Sequence, residues 1–260
     1  HGNTTLGANA SLTADNAGTA QTVTFNGNIT GVAHSLTIND NAVFGDAAGD
    51  TLSGVTALTV GGNADFTGSV TGTASLEVTG TTAINTTTIT TTGTQIYGDT
   101  TGTDTITFGS NAVLTGTTVA FNAPVTGAGN NLTVTGNAVF GNEGTDTVTG
   151  VAVLQVTGTA DINTTTITTT GNQTYTGDVT LAEDVVFTAD NAGTAQTVRF
   201  NGNVNGGGTY SLTINDNAVF GNAAVDNVTG ITSLEVLGNV NFTSSVTATG
   251  SIEITGTTAI

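Results

Sequence analysis

The sequence predicts an all-β fold, a parallel β-helix (β-solenoid) of about 13 turns, each with roughly 19–20 residues and about three short strands. Three observations predict it. A large apolar residue returns at a nearly constant step, short apolar groups with period two recur within each step, and segments rich in glycine and asparagine separate these groups. A helical repeat would need runs of helix formers, which this chain lacks.

Phenylalanine or isoleucine marks the step. The markers are Phe25, Phe44, Phe66, Ile84, Phe121, Phe140, Ile162, Phe200, Phe220, Phe242 and Ile260. Most intervals are of nearly equal length, and we interpret the two longer ones, which end at Phe121 and Phe200, as two steps each. The markers therefore predict equivalent inward positions in successive turns, with Phe108 and Phe187 in less regular turns.

Within one turn the apolar groups are Ala64-Asp65-Phe66, a group around Val70, and Leu76-Glu77-Val78. Their period-two alternation is typical of strands. The chain has 37 glycines in 260 residues, and Gly-Asn, Thr-Gly and Asn-Asp segments between the strands suit tight corners. The single proline, Pro124, is expected at a corner or an unpaired position.

Polar residues share the same step. Asparagine or threonine stands three places before each marker, at Thr22, Asn41, Asn63, Thr81, Thr118, Asn137, Thr159, Thr197, Asn217, Asn239 and Thr257. Such residues in register can form hydrogen bonds between turns, as amide ladders do in cross-β stacks. The sequence predicts a polar column with a structural role.

A longer repeat lies over the short one. The segment 13–25 returns at 188–200 with a single change, and Ser35–Phe44 returns unchanged at Ser211–Phe220. Because whole turns are gained or lost between copies, each turn is expected to contact only its neighbours. We interpret residues 1–260 as a single continuous β-solenoid segment, an excerpt of a longer repetitive chain.

A family resemblance rests on these repeats. The run 171–181, GNQTYTGDVTL, followed by 198–203 and 211–214, resembles the repeats of filamentous-haemagglutinin-like bacterial surface proteins, over essentially the whole chain. The resemblance implies a right-handed parallel β-helix, secreted or at the bacterial cell surface, acting as a stalk, fibre or adhesin in surface adhesion or a biofilm matrix. Because the residues at both ends match those of interior turns, we also expect the chain to dock end to end with copies of itself or flanking repeats. A host-cell or matrix surface is a further expected partner.

Charge and composition narrow the function classes. The chain has 19 acidic residues against Arg199 alone, a net charge of −18, which argues against partners such as nucleic acid or anionic membranes. It has no cysteine, and no apolar stretch is long enough to span a membrane. We therefore expect no nucleic-acid partner and no membrane span.

Candidate catalytic chemistry is sparse. Asp178, Glu183 and Asp184 cluster in sequence, and two carboxylates can hydrolyse glycosides. Another copy of this turn has Thr105 where the third acid would stand. We predict a non-enzymatic structural protein with no catalytic residue, and keep a carbohydrate-binding or carbohydrate-cleaving β-helix as the alternative, for which Tyr97, Tyr175 and Tyr210 are the available tyrosines.

Calcium at acidic corners is a minor alternative. Carboxylates suit this hard cation, and the corner acids are Asp15, Asp40, Asp46, Asp50, Asp146, Asp190, Asp216 and Asp226. The glycine-aspartate nonapeptide of calcium-binding β-rolls is absent. We therefore predict no cofactor and no specific metal residue.

The runs 86–92 and 164–170, both TTTITTT, raise the question of an ice-binding surface, because a flat threonine array can order water. Such an array needs the pattern in successive turns. This run occurs only twice, at positions several steps apart, so the sequence does not favour an array.

Overall fold

A computed structural model describes residues 2–14, 19–99, 103–191, 193–223 and 225–260. Two compact units, 1–123 and 124–260, are described one after the other. The described residues form strands and no helix. The predicted fold class is confirmed: the chain is a parallel β-solenoid, with about 12 turns against the 13 expected.

The described part of unit 1 contains 14 strands. They are β1 (Thr4–Thr5), β2 (Ala10–Leu12), β3 (Thr22–Phe25), β4 (Ile29–Ile38), β5 (Asn41–Phe44), β6 (Thr51–Val60), β7 (Ala64–Phe66), β8 (Ser69–Thr73), β9 (Ser75–Val78), β10 (Thr82–Ile84), β11 (Thr88–Thr91), β12 (Thr94–Tyr97), β13 (Ile106–Phe108) and β14 (Ala112–Phe121).

Three ladders of parallel strands run through unit 1. The first joins β3, β5, β7, β10 and β13. The second joins β2, β4, β6, β9, β12 and β14. The third joins β1, β4, β6, β8, β11 and β14. The long strands β4, β6 and β14 belong to two ladders each, so a turn has three strand segments, as predicted.

Stacked apolar side chains fill the interior of unit 1. In the first ladder the ring centroids of Phe25 and Phe44 are 5.8 Å apart, and those of Phe44 and Phe66 are 5.1 Å apart. Ile84 and then Phe108 continue this column in register. The predicted stack of Phe25, Phe44 and Phe66 is therefore confirmed.

The interpretation of the long interval from Ile84 to Phe121 as two turns was wrong. Phe108, not Phe121, pairs with Ile84 in the first ladder. Phe121 lies in the second ladder, where it pairs with Tyr97, and their ring centroids are 6.1 Å apart. The interval consists of one turn, from Ile84 to Phe108, and the stretch of chain that leads from Phe108 to Phe121 in the second ladder.

The described part of unit 2 contains 20 strands. They are β15 (Val125–Thr126), β16 (Leu132–Phe140), β17 (Thr147–Val151), β18 (Leu154–Val156), β19 (Ala160–Ile162), β20 (Thr166–Thr169), β21 (Gln173–Tyr175), β22 (Val179–Leu181), β23 (Val185–Asn191), β24 (Thr194–Ala195), β25 (Thr197–Phe200), β26 (Val204–Asn205), β27 (Leu212–Ile214), β28 (Asn217–Phe220), β29 (Asn227–Ile231), β30 (Leu234–Val236), β31 (Val240–Phe242), β32 (Ser245–Ala248), β33 (Ile252–Ile254) and β34 (Thr258–Ala259).

Unit 2 also has three parallel ladders. The first joins β15, β17, β20, β23, β27, β30 and β33. The second joins β16, β18, β21, β25, β28, β31 and β34. The third joins β16, β19, β22, β26, β29 and β32. A short antiparallel hairpin joins the end of β23 to β24.

The markers of unit 2 also lie in different ladders. Phe140 and Ile162 belong to the third ladder. Phe200 and Phe220 belong to the second, with ring centroids 5.4 Å apart, and Tyr175 stacks on Phe200 at 5.3 Å. The second long interval, from Ile162 to Phe200, is therefore a change of ladder as well.

Turn length varies more than the sequence predicted. Leu52 pairs with Val70 across a short turn, whereas Leu12 pairs with the more distant Ile38 across a long one. Pro124 stands outside the strands, immediately before β15, as expected.

One corner of unit 1 adopts a left-handed backbone without glycine. Val32 and Ala33 have φ of 48° and 62°. At the corresponding corner of the repeat, Gly207 and Gly208 have φ of 62° and 81°. Positive φ is unfavourable for a β-branched residue, so Val32 strains its corner.

Candidate functional sites

A short acidic corner is closed by its own backbone. In the first copy, the carboxylate of Asp50 accepts hydrogen bonds from the N–H groups of Asp46 and Ala47, at 3.0 and 3.1 Å. Gly45, with φ of 82°, begins the turn. Asp146 and Asp226 close the corners 141–146 and 221–226 in the same way. In each corner the carboxylate thus holds two N–H groups of the same turn.

Two further corner acids tie turns together. The carboxylate of Asp40 accepts a hydrogen bond from the N–H of Ala14, and that of Asp216 from the N–H of Ala189, both at 2.6 Å. Both acids are buried. Burial raises the pKa of Asp216, the N–H of Ala189 lowers it, and the charge of Asp190 raises it further.

The remaining corner acids that were considered as calcium ligands are Asp15 and Asp190. Asp15 lies outside the described residues. The carboxylate of Asp190 accepts a hydrogen bond from the N–H of Gly193 in the hairpin. Within the described ranges, no three acidic or histidine side chains come together as ligands of one metal ion.

The acids proposed for glycoside cleavage cap separate corners. Asp178 Oδ1 accepts hydrogen bonds from the backbone N–H and the Nδ2 group of Asn203, at 2.9 and 3.0 Å. Asp184 Oδ1 accepts from the backbone N–H and the hydroxyl of Ser211, at 2.7 and 3.0 Å. Both donors lie in the following turn, so each carboxylate holds two turns together.

Asp99 and Asp104 form a carboxyl pair on either side of residues 100–102, which lie outside the described part of the chain. Burial raises the pKa of Asp104, and the charge of Asp99 and the hydrogen bond between the two side chains raise it further. The protonated form of Asp104 is therefore favoured at this corner, relative to an isolated aspartate.

The predicted polar column is confirmed in part. Its asparagines bond the backbone of the next turn, but its members lie in different ladders, as the markers do. Asn41 Oδ1 accepts a hydrogen bond from the N–H of Asn63 at 2.8 Å, and Asn63 Oδ1 accepts from the N–H of Thr81 at 3.0 Å. In unit 2 the acceptors Asn137, Asn217 and Asn239 bond the N–H groups of Thr159, Asn239 and Thr257. Each asparagine thus satisfies a corner N–H group between turns.

Glycine precedes these residues for a steric reason. A Cβ atom at Gly62 would lie 2.7 Å from Asn41 Oδ1, and one at Gly80 would lie 2.6 Å from Asn63 Oδ1. Both distances are shorter than van der Waals contact. The recurring Gly-Asn and Gly-Thr dipeptides therefore accommodate the asparagine oxygen of the preceding turn.

The two corresponding tyrosines belong to the interior. Tyr97 and Tyr175 are both 0% exposed. Their hydroxyls donate to the side-chain oxygens of Gln95 and Gln173, at 2.9 and 3.0 Å, and burial raises the pKa of both phenols well above its ordinary value. Because both rings are buried, neither can stack on a sugar.

An open groove of about 290 Å³ lies over the first ladder of unit 1. Its lining includes Thr22, Asn41, Val43, Asn63, Asp65 and Thr81. None of the described lining residues is aromatic. The carboxylate of Asp65 accepts a hydrogen bond from Asn85 Nδ2 at 2.8 Å. The groove therefore offers hydroxyls, amides and one carboxylate on a rigid sheet.

Comparisons with protein-family models, curated protein sequences and solved structures find no match to this chain. In the described part of the chain, no helix has the length and apolar character needed to cross a membrane.

Proposed function

We propose that the chain is a structural segment of an extracellular bacterial fibre or adhesin, in which the β-solenoid serves as a stalk or filament for surface adhesion or a matrix. One observation carries the proposal. Polar side chains at the corners join neighbouring turns, as in the bonds of Asn63 with Thr81 and of Asp184 with Ser211.

The mechanism is mechanical. Within each unit, backbone hydrogen bonds connect every turn to the next in three ladders, and the corner bonds add to them. Pulling on such a stack loads many hydrogen bonds at once. Each net bond contributes only about 1 kcal/mol, so the resistance comes from their number.

Force spectroscopy of the chain held at both termini tests this role. Release of one turn of roughly 20 residues should lengthen the chain by about 70 Å, because an extended residue spans at most about 3.6 Å. We expect repeated steps of this size at high force. Extension of the folded chain at forces that stretch an unfolded chain would contradict the proposal.

The surface location and partners need a cellular test. The resemblance of the repeats to filamentous-haemagglutinin-like proteins supports a secreted or surface-bound protein. Immunoelectron microscopy of the producing cells should label surface fibres, and label confined to the cell interior would contradict this location. Sedimentation should detect the proposed end-to-end association with copies or flanking repeats, and binding to host-cell or matrix surfaces can be measured with labelled chain.

The groove over the first ladder supports carbohydrate binding as a second candidate function. Its hydroxyls and amides could bond sugar hydroxyls, although its described lining offers no aromatic ring for stacking. A glycan array tests this alternative. Binding that is lost when Val43→Trp fills the groove, but kept in Thr37→Trp on the second ladder, would favour it over a purely structural role.

A further inference from the structure

The third ladder of unit 1 presents hydroxyl groups outward in successive turns. The outward positions of β6, β8 and β11 hold Thr51 and Ser53, Ser69 and Thr71, and Thr88 and Thr90. Thr51 pairs with Ser69 and Ser53 with Thr71, while Ile89 pairs with Val70. Thr30 and Thr115 extend one column by a turn at each end. We call this surface the hydroxyl array.

The array is anchored from inside and uncharged. Leu52, Val70 and Ile89, between the paired hydroxyl residues, are buried. The hydroxyl residues themselves are partly or fully exposed, and none carries a charge. The hydroxyl of Thr51 donates to Asn28 Oδ1 at 3.3 Å and that of Ser53 to the carbonyl of Ile29 at 3.4 Å. Within the described residues, no such bond is made by the hydroxyls of Thr71 and Thr90. They are therefore open to solvent on a face that the ladder holds in place.

Unit 2 repeats the arrangement in its first ladder. One outward column holds Thr126, Thr149, Thr168 and Thr188, with a register shift between Thr149 and Thr168. The other holds Thr147 and Thr166 and continues at Val186. The inward residues between the columns, Val148 and Ile167, are buried. Each unit thus carries its own array.

We propose that these arrays bind ice. Adjacent turns are spaced about 4.8 Å apart, and alternate residues of a strand about 6.7 Å apart, so the hydroxyls of paired strands lie on a two-dimensional grid. The register shifts once in each array, after the pair Val70–Ile89 in unit 1 and after Val148–Ile167 in unit 2. These repeats are close to those between water oxygens on faces of ice. Threonine is stiff about χ1, so its hydroxyl can join the water lattice while its methyl group orders water beside it. A charged face would instead hold its own hydration shell.

The proposed ligand is the surface of an ice crystal. Ice binding is independent of the proposed structural role, because a fibre can form with or without affinity for ice. The sequence did not reveal the array because its members are different triplets, Thr-Leu-Ser, Ser-Val-Thr and Thr-Ile-Thr. Only the strand pairing brings them into register.

Ice recrystallisation and freezing-point depression by the full chain test the proposal. We expect the chain to stop recrystallisation, and the double variant Thr71→Tyr with Thr149→Tyr to lose this effect, since a large ring interrupts both arrays. The matched control is Thr59→Tyr with Thr133→Tyr, at outward threonines of other ladders. It should keep the effect.

Circular dichroism confirms the fold of each variant. If the tyrosine variant unfolds, Thr71→Lys with Thr149→Lys replaces it, because lysine is tolerated at exposed strand positions. The proposal is supported if the array variant is folded and no longer inhibits ice recrystallisation while the control variant still does. No effect of the unmodified chain beyond that of an inert acidic protein, or equal loss in the control, would overturn it.

Discussion

Phe66 allows the most direct test of the interior column. Its side chain is 0% exposed, its ring centroid lies 5.1 Å from that of Phe44, and it pairs in register with Ile84. Phe66→Ala removes the ring from a closed stack that cannot collapse without breaking its ladders. Buried phenylalanine-to-alanine changes cost about 3–5 kcal/mol, which includes roughly 0.5–1.5 kcal/mol from ring stacking. We expect a loss of about 4 kcal/mol in the free energy of unfolding.

The matched control is Phe66→Ile. Ile84 already occupies the equivalent position one turn on, so the column accepts this shape. The substitution loses mainly the stacking on Phe44, and we expect a cost of about 1–1.5 kcal/mol.

Urea unfolding followed by circular dichroism measures both costs, and hydrogen exchange locates them. Protection should fall in β5, β7 and β10 and persist in unit 2, because each turn of a solenoid contacts only its neighbours. A loss below about 1 kcal/mol for Phe66→Ala, or equal losses for both variants, would refute the reasoning.

Three further predictions concern the corners. Asn63→Ala should lower the free energy of unfolding by about 1 kcal/mol and speed hydrogen exchange of the Thr81 amide, because it removes the acceptor of that N–H group. Asn63→Asp keeps an acceptor oxygen and serves as the control. Equal exchange of the Thr81 amide in both variants would contradict the prediction. Val32→Gly should raise the thermal midpoint by relieving about 1 kcal/mol of left-handed strain, and a lower midpoint would argue against strain. The raised pKa of Asp216 means that its protonation stabilises the fold, an effect that is complete below the unfolded pKa and lost as pH rises through the folded value. Stability should therefore increase as pH falls through this range, with a smaller increase in Asp216→Asn; equal slopes in urea titrations would count against it.

The β-solenoid could be predicted from the sequence by itself, because both of its periods, the alternation of every second residue and the longer step between turns, are visible in the sequence. Period-two alternation indicated the inward positions of strands, and the longer step identified Phe25, Phe44 and Phe66 as one column. The same alternation places Glu235 and Glu253 at the middle of matching triplets, and the two residues pair in successive turns. The asparagine column was also visible, although the backbone N–H groups that it bonds were not.

Only the tertiary structure decided which ladder each residue joins. Phe108 rather than Phe121 pairs with Ile84 in the next turn. The triplets of the hydroxyl array pair with one another although they share no common sequence motif. The acids cap corners because the following turn brings N–H groups to them, as at Asp184. Corner length has little effect on strand pairing, so turns of unequal length stack equally well and spacing alone does not determine register. Register is set by contacts between turns, which are remote in sequence and are formed only when the chain is folded.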